Sequence, residues 1–168
     1  MRKLTMLFVA ATLCVVAVSA QSRPSFAGRW VLTATVGPFG ELGSRPLRFF
    51  NDASSSLGTD VTISQDAAKL TVEYATLPNA TVLTYRLDGA ETRNVPPPAG
   101  DSEVVSSASW KDGKLVILST QKEVSPQGQS LAIQMTQMLS LTPDGTLVVE
   151  SSHAGNGKTQ TTVYKKKQ

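Results

Sequence analysis

The chain has 168 residues, with 16 Lys and Arg against 13 Asp and Glu for a formal charge of +3, one His and one Cys. Two of those positive charges, Arg2 and Lys3, lie in a leader predicted to be removed, and the +1 that remains gives no case for nucleic acid. One histidine, His153, and no cysteine beyond Cys14 argue against zinc or haem ligation and against a disulfide framework, so no metal or cofactor is expected.

Arg2 and Lys3 precede an almost wholly apolar run over residues 4–18. Ala17-Val18-Ser19-Ala20 then supplies the small-x-small pattern that signal peptidase reads, predicting cleavage after Ala20 and export to the periplasm or beyond. The run falls short of the roughly twenty residues that span a bilayer, so stable membrane insertion is not expected. Cys14 follows Leu13 where a lipobox takes a small residue. The division is a signal peptide over residues 1–20, a polar lead over 21–25 and one domain over 26–168.

Residues 26–36 alternate with period two, placing Trp30, Leu32, Ala34 and Val36 on one face of a strand. Residues 37–58 hold Pro38, Pro46 and several glycines around Phe49 and Phe50, and a loop of that length is usually functional, here a lid. Val61 and Ile63, then Leu70, Val72 and Tyr74, alternate on either side of Asp66-Ala67-Ala68. Leu83, Tyr85 and Leu87 run to Asp88-Gly89, and residues 94–100, with Pro96, Pro97 and Pro98, read as an exposed extended loop. Residues 104–111 and 114–122 flank Asp112-Gly113. Residues 131–141 form the longest alternating run and close on Pro143-Asp144-Gly145, after which 147–152 and 160–164 complete the series. Asp-Gly between alternating runs signals a hairpin, because Gly accepts the positive φ of tight turns. About eight or nine strands with regular turns and no helical periodicity predict an all-β chain, a single antiparallel up-and-down β-barrel. Closure removes the edges an open sheet would leave exposed.

Chemistry is sparsely signalled. No Gly-x-Ser-x-Gly elbow accompanies His153, which reads as a solvated strand-end residue. Asp66, Asp88, Asp112 and Asp144 lie in turns, where Asp bonds its own backbone. Glu73 alternates against Val72 and Tyr74 and is expected in solvent. No catalytic residue is assigned and no enzyme is expected. Tyr74, Tyr85, Met135 and Gln137 are the candidate ligand contacts inside the barrel, with Phe49 and Phe50 on the lid. Gln137, Ser119 and Thr162 are polar positions on or near the inward face, costly to bury unpaired. They bond either a ligand or water, or one another.

The run Phe26-Ala27-Gly28-Arg29-Trp30 carries Gly-x-Trp, and Thr161-Thr162-Val163-Tyr164-Lys165-Lys166 forms an aromatic-plus-basic final strand. With the repeated plan of strand, Asp-Gly and strand, the chain resembles exported bacterial lipocalin-like domains of the calycin type. The resemblance implies that Gly28 and Trp30 close one end of the barrel. It also implies that Lys165, or else Lys166, packs over the indole in a cation–π contact of about 0.5–2 kcal/mol. The function it implies is non-covalent binding of a small apolar ligand in the barrel mouth. The other reading is a filled barrel that docks an envelope protein or inhibits a protease through residues 96–98 and the lead.

Overall fold

The computed structural model describes residues 23–37, 57–75, 80–94, 103–124, 128, 130–154, 157 and 159–168. The predicted signal peptide, most of the proposed lid with Phe49 and Phe50, and the Pro96-Pro97-Pro98 loop lie outside the described residues. Ten strands form one sheet: β1 (Gly28–Val36), β2 (Asp60–Gln65), β3 (Lys69–Ala75), β4 (Ala80–Arg86), β5 (Thr92–Asn94), β6 (Val104–Lys111), β7 (Lys114–Val124), β8 (Ser130–Leu141), β9 (Leu147–His153) and β10 (Thr159–Lys166). Every ladder is antiparallel, and the spatial order is β4-β3-β2-β1-β10-β9-β8-β7-β6-β5. Chain neighbours are sheet neighbours except β4 and β5, which lie at the two ends of the order, and β1 pairs with β10, which wraps the meander into a nearly closed barrel. No helix occurs among the described residues.

The tenth strand is β5, a three-residue segment in the stretch between Asp88-Gly89 and the prolines that carries no alternation of its own. Asn94, expected to begin an exposed loop, is instead buried at the end of β5. The turn chemistry holds at Asp112-Gly113, where both φ values are positive (49° and 76°) and Lys111 pairs directly with Lys114. That is the two-residue hairpin whose backbone twist matches its strands. Asp88-Gly89 makes no such hairpin. It leads β4 into β5, and these two strands are the outer members of the sheet order.

The gap between β4 and β5 is stitched by side chains. Thr84 donates its N–H to Asn94 Oδ1 (2.8 Å), and Asn94 Nδ2 donates back to the Thr84 carbonyl (3.0 Å). The carboxamide thus imitates one rung of a backbone ladder. Arg86 N–H adds a bond to Thr92 Oγ1 (3.1 Å), so main-chain groups along this seam find partners without strand pairing.

Trp30, Val61, Ile63, Leu70, Val72, Leu115, Ile117, Leu139, Leu147, Val149 and Tyr164 face a continuous apolar core joined by Phe26 and Leu57. Strand β1 departs from its expected alternation. Leu32 pairs with Tyr164 and Ala34 with Val163, so Thr33 is an extra residue, its hydroxyl donating to the Val163 carbonyl (3.1 Å). A bulge of this kind reverses the inward and outward assignment beyond it. Val36 is accordingly 66% exposed instead of sharing the face of Trp30.

Candidate functional site

One end of the barrel is sealed by the residues that lead into β1. Trp30 is 1% exposed, and its indole N–H donates to the Phe26 carbonyl (2.8 Å). Phe26 N–H donates to Gln65 Oε1 (2.8 Å), and Gln65 Nε2 donates to the Pro24 carbonyl (3.1 Å). The Phe26 ring stacks on Trp110 at 5.8 Å and 6°, with the Arg23 guanidinium 5.8 Å from the same indole. Stacked aromatic area and the Trp30 and Gln65 bonds to backbone make this end a plug, although the buried Trp110 indole N–H has no acceptor among the described residues.

The cation over Trp30 is Lys166, its Nζ 5.6 Å from the ring, and not Lys165. Directly paired residues on antiparallel strands share a face, and Trp30 pairs with Lys166 while Lys165 pairs with Val31 on the other. Gly28 makes the arrangement possible. Its φ is +146°, and a Cβ there would collide with Lys166 Cε. The glycine leaves the passage through which the lysine stem reaches the indole.

Along β7–β10 the inward residues change character from the plugged end to the other. Leu115 and Ile117 give way to Ser119 and Gln121 along β7, and Leu139 to Gln137 and Met135 along β8. Leu147 and Val149 are followed by Ser151 on β9, and Tyr164 by Thr162 and Gln160 on β10. Gln137 pairs with Ser151, and Ser151 with Gln160, so three buried polar side chains lie abreast on the inner wall. Ser106 and Ser119 join hydroxyls at 2.8 Å. Gln121 is 3% exposed, and its Oε1 accepts no hydrogen bond from the described residues.

This band carries no formal charge. Among the described residues every buried polar side chain is Thr, Asn, Ser or Gln. The ion pairs, such as Arg29 with Asp60 (2.9 Å) and Arg93 with Glu103 (2.7 Å), are on the outside. No group of three His, Cys, Asp or Glu side chains poised for a metal occurs among the described residues. His153 is half-buried instead of fully solvated, pairs in register with Met135, and has its pKa lowered by desolvation.

The four described ligand candidates fall into two groups. Met135 and Gln137 belong to the polar band, with Met135 buried yet outside the contiguous apolar cluster. Tyr74 and Tyr85 belong to the cluster itself, and burial pushes both phenols well above their usual pKa, with Thr81 bearing on the Tyr74 hydroxyl. Gln121, Ser151 and Gln160 were not singled out by sequence. Their signal is a polar residue at a parity that is apolar elsewhere on the same strand.

Fold and interior together define a calycin-like antiparallel barrel, plugged at one end and lined with uncharged polar groups toward the other. No family model and no curated protein sequence matches the chain. Among solved structures it is similar to a single-substitution mutant of the fluorescent protein UnaG, with a TM-score of 0.55 and 25% identity over 85% of this chain and 96% of that one. Wild-type UnaG aligns with a TM-score of 0.55 and 22% identity, covering 84% of this chain and 97% of that chain.

Proposed function

We propose that this protein is an exported carrier that holds a small, predominantly apolar molecule inside its barrel without covalent chemistry. The observation that carries the reading is the band of buried glutamines and serines on β7–β10, continuous with an apolar core. A buried amide costs free energy unless bonded, and Gln121 Oε1 in this band has no donor among the described residues. An interior meant to receive a guest uses such groups to orient it. Export is supported by the leader over residues 1–20.

Native mass spectrometry of protein purified from its host, with displacement of an uncharged apolar dye such as Nile red, tests the proposal. The expected result is a retained small-molecule adduct and saturable dye uptake competed by that adduct. A bare polypeptide mass in repeated preparations together with no dye uptake would reject it.

A further inference from the structure

Resting on the carrier reading, we infer that the guest is an uncharged amphiphile that donates a hydrogen bond from an O–H or N–H group to Oε1 of Gln121. Three observations converge on this. Gln121 is 3% exposed, and its Oε1 is an acceptor without a donor among the described residues. It lies on the inward face of β7, two residues beyond Ser119, whose hydroxyl is already occupied by Ser106. Among the described residues no Lys, Arg, Asp or Glu is buried, so a guest carboxylate or ammonium brought to this wall would meet no counter-charge there.

The chemistry follows from the acceptor. An oxygen lone pair held out of water gains from a donor and is repelled by another oxygen anion. A burying ion needs a partner of opposite sign or several donors, and a wall of serine hydroxyls and carboxamides without cations offers a weak substitute. A neutral hydroxyl or amide needs neither. Met135, beside Ser119 in register, gives the apolar part of the guest an adaptable surface.

The test is competition against Nile red by four straight-chain compounds that share one alkyl chain and differ at the head: a primary alcohol, a primary amide, a methyl ester and a carboxylate. On the wild-type protein the alcohol and amide are expected to bind roughly tenfold tighter than the ester, the effect of one hydrogen bond, and tighter still than the carboxylate. In Gln121→Leu the alcohol and amide are expected to fall to the affinity of the ester, with the ester unchanged. A carboxylate that binds as tightly as the alcohol overturns the inference while leaving the carrier reading in place. So does a preference for the alcohol that survives in Gln121→Leu. If neither the dye nor any head group binds wild-type protein, the carrier reading itself falls and the inference with it. The wild-type ranking decides the question even if Gln121→Leu does not fold.

Discussion

At the scale of single residues, Gly28, Trp30 and Lys166 act as one unit at the plugged end. Trp30 contributes area and an indole N–H bonded to the Phe26 carbonyl, so Trp30→Ala opens a cavity and is expected to cost about 3–5 kcal/mol in denaturant unfolding. Lys166→Ala is expected to cost only about 0.5–1 kcal/mol, the worth of an exposed cation–π contact, and Lys165→Ala less than either. Equal losses for the two lysines would contradict the placement of Lys166 over the ring. Gly-x-Trp was legible in the sequence. Which lysine reaches the indole was not, because that choice is made by the register of β1 on β10, strands separated by most of the chain.

The turn aspartates make a pH prediction with a definite sign. Asp66 accepts N–H bonds from Ala68 (2.8 Å) and Lys69 (2.7 Å), and these backbone donors hold its carboxyl below 3.8. Asp144, between the hydroxyls of Thr142 and Thr146, is held below the same value. For a folded-state pKa below the unfolded one, the added stability is whole above the unfolded value near 3.8. It is lost as pH falls through the folded value. Asp66→Ala is therefore expected to lower Tm at neutral pH, with the difference from wild type closing as the pH drops below about 4. A difference that is the same at about pH 2 as at neutrality would show that the carboxylate charge plays no part.

At the scale of elements, local rules predicted most strands and failed where a strand depends on distant partners. Alternation and turn residues fixed β2, β3 and β6–β9, because each is half of a hairpin whose two faces differ in polarity. Strand β5 escaped notice, since three residues show no period, and it exists only by pairing with β6 across a long connection. The Thr33 bulge escaped for a similar reason, an extra residue being defined only against the partner β10. The seam between β4 and β5 gives this scale its prediction. Asn94→Ala leaves the Thr84 N–H and carbonyl without their partners and is expected to cost about 1–3 kcal/mol. Native-state hydrogen exchange checks it directly: the Thr84 amide is expected to lose protection in the variant while the Val72 amide on β3 keeps its own. Unchanged protection at Thr84 would mean that the seam is closed by something other than Asn94.

At the scale of the whole molecule, the barrel divides into a stabilising apolar half and a half with a polar inner wall, which the proposed function assigns to a guest. The apolar cluster, plugged by Phe26 and Trp30, supplies the burial that a domain without disulfides depends on. The inner wall of β7–β10 toward the other end is polar, uncharged and buried. Part of that division was visible in the sequence: Gln137, Ser119 and Thr162 stood out at core parity. Their union with Gln121, Ser151 and Gln160 depends on four strands lying abreast, and only the assembled sheet provides that. Tyr74 and Tyr85 looked equally suited to a ligand, yet cross-strand pairing with Thr81 and Leu70 puts them among core residues. An inward side chain can serve the fold or the guest, and residue type alone does not separate the two.

The most direct test of the polar half is an NMR titration that follows the side-chain amide resonances of the glutamines as a straight-chain alcohol is added. The expected result is saturable shifts at Gln121 and Gln137, with the exposed Gln168 unmoved. Shifts confined to surface residues, or none at saturating alcohol, would contradict the assignment of this wall to a guest.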